Sequence, residues 1–148
     1  MDKPIAIITG ASTGIGRSLA VKLSDQYFVY LISRNKKKLD RTKELIIAKN
    51  NNCKIIVSDI SKTESINDIY SQIEHKEKIE LLINNAGIGV FKNITDTTIK
   101  DWNDTLNTNL RGSFLMTKMV VDNLKSKKNG KIVFISSVAG LQPYKNST

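Results

Sequence analysis

A doubly wound α/β fold, a parallel sheet with helices on both faces, is what this 148-residue sequence predicts. Three observations carry the prediction. Short, nearly unbroken apolar runs recur along the chain: Ile5 to Ile8, Phe28 to Ile32, Lys54 to Val57, Glu80 to Ile83 and Lys131 to Ile135. Continuous runs, rather than alternating ones, suit strands buried on both faces of a parallel sheet. Between them lie segments with apolar residues at helical spacing, so strand and helix alternate along the chain. The third observation is the stretch Thr9-Gly10-Ala11-Ser12-Thr13-Gly14-Ile15-Gly16, placed where the first run ends and the first helix begins.

The helices follow from apolar spacing. Ile15, Leu19 and Leu23 share one face of the first. Leu39 and Ile46 mark the second, with Lys and Arg outward. Ile66, Ile69 and Ile73 mark the third. Trp102, Leu106, Leu110 and Phe114 step at intervals of four along a longer helix before the fifth strand. No linker, low-complexity tract or repeat interrupts this order, so residues 1–148 read as a single domain.

Composition narrows the function classes. Apolar residues make up 40% of the chain, an ordinary globular share. No apolar run approaches the roughly 18 residues of a membrane span, and Met1-Asp2-Lys3-Pro4 lacks a signal-peptide pattern. Cys53 is the single cysteine, so one chain builds no disulfide framework and no metal cluster; a reducing cytoplasm is the expected location. His75 is also alone, among Glu and Lys, and reads as a solvated helix end. The net charge of +9 raises the question of nucleic acid. Lys36, Lys37, Lys38, Lys125, Lys127 and Lys128 sit at expected helix ends or loops without interleaved aromatics, so no nucleic-acid partner is expected.

In a doubly wound sheet, ligands bind beyond the carboxyl ends of the strands, where the strand order reverses. That rule brings the glycine turn, Ser33-Arg34, Asp59, Asn84 to Gly87 and Ser136-Ser137 to one rim. The turn has the spacing TGxxxGxG. Gly10 permits a tight turn, Gly14 a close backbone approach, and Gly16 close packing of helix on sheet. Ser12 and Thr13 add hydroxyl donors. Such a turn places a dinucleotide pyrophosphate on a helix N-terminus, where outward amides and the helix dipole favour negative charge.

With this spacing, and with Asn84-Asn85-Ala86-Gly87, Asn109-Leu110-Arg111-Gly112 and Ile135-Ser136-Ser137-Val138-Ala139-Gly140, the chain resembles the short-chain dehydrogenase/reductases in their compact subtype. The resemblance spans the whole sequence and about the first three-fifths of a usual member. It implies a Rossmann-like sheet truncated after the fifth strand. It also implies hydride transfer between a nicotinamide cofactor and a carbonyl or alcohol substrate.

Gly10, Ser12, Thr13, Gly14, Ile15 and Gly16 would hold the pyrophosphate. Asp59 with Ile60 would meet the adenine. Asn85, Ala86 and Gly87 would line the cofactor site. Ser33 stands where NAD-preferring members carry Asp, and Arg34 could pair with a 2′-phosphate, so NADP(H) is the expected cofactor. Many NADP-using members carry a basic residue where Thr13 stands.

Ser137 would hydrogen-bond the substrate carbonyl oxygen. No Asp–His pair exists to make it a nucleophile. Asn109, locally unfavourable inside a helix, would anchor a relay water. The family's Tyr acid lies about thirteen residues beyond the serine, near position 150, with a Lys four residues later. Tyr144 comes too early and reads as a loop tyrosine. A chain of this length is therefore expected to bind cofactor weakly without turnover, to leave the fifth strand as an open edge, and to form a dimer or tetramer. A non-enzymatic dinucleotide-binding module is the alternative.

Overall fold

The computed structural model describes residues 3–142. Every apolar run becomes a strand to within one residue at either end: β1 Ile5–Thr9, β2 Phe28–Ser33, β3 Cys53–Val57, β4 Ile79–Asn84 and β5 Lys131–Phe134. All neighbours pair in parallel, in the order β3-β2-β1-β4-β5. Ile7 sits between Tyr30 and Leu82 at the centre of the sheet. The order reverses between β1 and β4, which is where a crevice must open in a Rossmann-like sheet.

Among the described residues five α-helices accompany the strands: α1 Gly14–Leu23, α2 Lys36–Ile47, α3 Glu64–Ser71, α4 Ile99–Leu106 and α5 Ser113–Lys125. Strand periodicity divides the core into two layers. Ile5, Ile7, Tyr30, Ile32 and Leu82 pack with Ile66 and Ile69 of α3 and with Met116, Val120 and Leu124 of α5. Ala6, Ile8, Val29, Leu31 and Ile83 pack on the other face with Ala20 of α1 and with Leu39 and Ile46 of α2. Each buried Ile or Leu contributes about 1.5–3 kcal/mol. An exposed pair such as Lys36–Asp40 contributes at most about 1 kcal/mol, so apolar burial sets how the helices seat.

Two expected helix faces are corrected in part. On α1, Leu19 and Leu23 pack against the core beside the buried Gly16 and Ala20, whereas Ile15 is 59% exposed. Trp102, Leu106, Leu110 and Phe114 do form a stripe, but it is exposed. The core side of the same helical run is Met116, Val120 and Leu124. That series is offset by two residues, about 200° around a helix. Periodicity identified a shared face without saying which of two apolar stripes meets the sheet. Asn107–Gly112, between α4 and α5, is moreover a π-helical segment, which turns the stripe further.

Local hydrogen bonds fix the helix starts. Asn35 caps α2 by accepting from Lys38 N, 3.0 Å. A reciprocal capping box of Thr98 and Asp101 opens α4. Hydrogen bonds from Lys92 first, then from Thr98, hold the Asp101 carboxyl well below the usual carboxylate range. His75 is exposed, with φ +51°, at the start of a short 3-10 turn. Among the described residues β5 pairs with β4 alone, and Phe134 is 57% exposed. No helix among them is long and apolar enough to cross a membrane. No three His, Cys, Asp or Glu side chains among them come together as metal ligands.

Cys53 opens the edge strand β3, and burial pushes its thiol up to about 11. At pH 8 the thiolate is then roughly one part in a thousand. A thiol reagent should modify native Cys53 slowly at pH 8 and faster with each rise in pH toward 11. Modification at pH 8 as fast as that of a free thiol would contradict this.

Candidate active site

The chain leaves β1 through Gly10 at φ +66°. A methyl group there would lie 2.8 Å from Ala86 Cα and from Asn85 Nδ2. One at Gly16 would collide with the Gly10 carbonyl and the Asn85 amide. The turn is thus pressed against the end of β4, and side-chain bonds hold it there. Thr9 is fully buried, and its Oγ1 accepts from Asn85 N and Ala86 N, both at 3.0 Å. In return Asn85 Nδ2 donates to Thr9 O at 3.0 Å and to Gly10 O at 3.2 Å. These bonds join the first and fourth strands at the crevice.

Above the turn, α1 begins without a side-chain cap from Thr13 and without an acidic residue in its first turn. Among the described residues no side chain caps its first amides, a donor set that suits an anion. Beside it lies a cleft of about 240 Å³. Gly10, Ser12, Thr13, Arg34, Asp59, Ile60, Asn85, Ala86 and Gly87 all line it, so the structure brings these expected site residues together. Gly14, Ile15 and Gly16 do not line it. Gly16 is buried beneath the turn, while Gly14 and Ile15 are exposed.

Within the cleft, Ser33 Oγ donates to Ser12 Oγ at 3.0 Å. Arg34 Nη1 lies 3.8 Å from Asp59 Oδ2. Asp59 Oδ1 accepts from Ser61 N at 3.0 Å and from Ser61 Oγ at 2.7 Å, so this carboxylate both closes a turn and faces Arg34.

A second cleft, of about 450 Å³, adjoins the first through Asn85, Ala86 and Gly87. Asn109, Ser113, Ser136 and Ser137 line it. Asn109 lies inside the π-helical segment, a geometry that often accompanies functional positions. Both ends of its amide are taken by one residue: Oδ1 accepts from Ile88 N and Nδ2 donates to Ile88 O, each at 2.8 Å. Three residues on, Gly112 lets the helix approach Ile60, whose side chain would lie 2.9 Å from an added methyl group. Ser137 Oγ accepts from Ala139 N at 3.1 Å and so caps a short 3-10 turn. Asn84 Nδ2 donates to Thr117 Oγ1 at 3.1 Å, while its buried Oδ1 has no partner among the described residues. Tyr144 falls outside the described residues.

Asn109→Ala should remove two hydrogen bonds, about 1–2 kcal/mol of local stability. The check is amide exchange at Ile88, which should speed up while the core strands stay protected. Unchanged exchange at Ile88 would show that the loop is held by other contacts.

Sequence reasoning missed Thr9, Arg17 and Thr42, which organise the turn from beneath. The threonine opening the TGxxxGxG pattern was a signal for the first. Arg17 and Thr42 carried none, since their partnership appears only when α1 and α2 pack together.

Comparison with known proteins agrees with this geometry. Residues 4–148 match the family model described as short chain dehydrogenase. The oxidoreductase YusZ of Bacillus subtilis is 34% identical over 143 residues, covering 95% of this chain and 51% of the relative. A sepiapterin reductase of Chlorobaculum tepidum is 32% identical over 155 residues, covering 99% of this chain and 64% of the relative. The crystal structure of a metagenomic short-chain oxidoreductase in complex with NADP superposes with a TM-score of 0.90 at 28% identity, over 97% of this chain and 66% of that one. NAD+-bound xylitol dehydrogenase superposes at 0.87 with 27% identity, over 97% and 56%. The chain thus spans about half to two thirds of the length of the curated relatives it matches. A family model that takes in all but the first three residues, on a sheet whose order and glycine turn agree with it, shows that the chain belongs to the short-chain dehydrogenase family.

Proposed function

We propose that residues 1–148 form a single dinucleotide-binding domain of an NADP(H)-dependent oxidoreductase acting on a carbonyl or alcohol substrate. One observation carries the cofactor reading: at the end of β2, Ser33 and Arg34 face the cleft beside the Ser12 hydroxyl. No carboxylate occupies the strand end where it would hydrogen-bond a ribose 2′-hydroxyl. A guanidinium and two hydroxyls are instead a donor set for a phosphate monoester. The pyrophosphate would lie over Gly10, Ser12 and Thr13 at the open N-terminus of α1. Asp59 and Ile60 would bound the adenine.

When bound, the nicotinamide supplies or accepts the hydride. Ser137, whose oxygen already accepts from Ala139 N, keeps its own O–H to donate to a substrate carbonyl oxygen. Asn109 would act where the two clefts meet, by holding the Ile88 backbone beside a proton relay. Protonation of the substrate oxygen would fall to the tyrosine that follows the serine by about thirteen residues in the family, outside the described residues. The exposed stripe of Trp102, Leu106, Leu110 and Phe114 supports self-association.

Titration of the chain with NADPH and with NADH, followed by nicotinamide fluorescence, tests this reading. NADPH should bind about tenfold tighter, a difference of about 1.4 kcal/mol. Ser33→Asp should reverse the order, because its carboxylate repels a 2′-phosphate and accepts from a 2′-hydroxyl. Equal affinities would remove the preference, and binding of neither would remove the cofactor reading.

A further inference from the structure

We propose that Arg17 and Thr42, neither of which lines the cleft, set its selectivity for a 2′-phosphate by holding the Ser12–Ser33 hydroxyl pair from beneath. The inference rests on the NADP(H) reading above.

Arg17 is half-buried on α1. Its Nη2 donates to the carbonyl oxygen of Ser12, and its Nε donates to Thr42 Oγ1 at 3.2 Å. Thr42, on α2, is fully buried. Its hydroxyl donates to Ala11 O at 3.0 Å, with Lys38 O a more distant acceptor at 3.3 Å. From the other side, Ala11 N donates to Ile32 O at 3.3 Å. Two consecutive carbonyls of the glycine turn are therefore held by α1 and α2, and the adjoining amide by β2.

Two physical consequences favour a phosphate. The first is geometric: Ser12 is 8% exposed, and its hydroxyl meets Ser33 Oγ at 3.0 Å only while the backbone of residues 11 and 12 keeps this orientation. The second is electrostatic. A carbonyl oxygen carries partial negative charge, and that of Ser12 lies beside the proposed phosphate site. Arg17 offsets it, and among the described residues Arg17 forms no ion pair with a carboxylate that would cancel its own charge. Both effects reach the pyrophosphate that the two cofactors share, but only NADPH adds a 2′-phosphate of about −1.5 to −2 charge beside the Ser12–Ser33 pair, so its binding depends on them more. A brace that merely packs α1 on α2 would affect both cofactors alike.

The experiment is a fluorescence titration of the 148-residue chain and its variants with NADPH and NADH. Arg17→Met keeps much of the apolar stem and should weaken NADPH about fivefold or more, and NADH less than about twofold. The salt dependence of NADPH binding should also become shallower. Thr42→Val keeps shape and charge and should weaken NADPH alone, by about two- to threefold. Thr42→Ser should bind as wild type does. Equal weakening of both cofactors, or of neither, overturns the inference and leaves the cofactor reading standing. Wild-type chain that binds NADH as tightly as NADPH overturns both.

Discussion

Gly10→Ala is expected to cost about 2–4 kcal/mol of stability and to weaken NADPH binding more than about tenfold. Two effects add. The backbone at φ +66° disfavours a side chain, by about 1–2 kcal/mol. The new methyl group would also lie 2.8 Å from Ala86 Cα, a backbone atom two residues past the end of β4 whose amide is bonded to Thr9 Oγ1. Gly14→Ala separates these effects. Its φ is +54°, yet an added methyl group would meet nothing within 4 Å. It should cost only about 1 kcal/mol, from conformation alone. Urea denaturation of the two variants measures both. Equal losses would show that conformation, not contact with Ala86, dominates at Gly10.

Thr9→Val is expected to cost about 2–4 kcal/mol although the two side chains have the same shape. The Thr9 hydroxyl oxygen is the acceptor for both Asn85 N and Ala86 N, and its hydrogen points to Ile83 O at 3.4 Å. Valine leaves two amides without that acceptor in a half-buried place, at about 1–3 kcal/mol each in the least relaxed case. Thr9→Ser should recover most of the loss. Amide exchange at Asn85 and Ala86 should speed up in the valine variant and not in the serine variant. A cost below about 1 kcal/mol would mean that water replaces the hydroxyl there.

These two positions illustrate what a sequence displays and what it hides. Gly10 was legible because a glycine between an apolar run and a helical pattern marks a tight turn from strand to helix. Thr9 was legible as the opening of the TGxxxGxG pattern, but nothing local names its partner, a segment 76 residues away. Ser33, Arg34 and Asp59 were legible as strand-end residues, and they do share a cleft. The contact between Arg34 and Asp59 was not, because it depends on β2 and β3 lying side by side. Ile15 does not line the cleft for a related reason. The turn holds its own glycines and the first turn of α1 at different depths, so adjacent residues fall inside and outside the cleft.

The longest helical run shows the same boundary. Intervals of four at Trp102, Leu106, Leu110 and Phe114 correctly indicated a helix, but the buried face belongs to Met116, Val120 and Leu124. Asn109 stood out as a poor helix former, and the π-helical segment accounts for it, with the amide closing on Ile88.

By itself the sequence determined the alternation of strands and helices, the parallel class of the sheet, and which loops emerge at its carboxyl rim. Those properties follow from local periodicity and from the order of elements along one chain. The tertiary structure decided which apolar stripe is buried and how Thr9, Asn85, Arg17 and Thr42 brace the glycine turn. Those are pairings between elements distant in sequence, and their energies exist only once the sheet order has brought the partners within hydrogen-bonding distance.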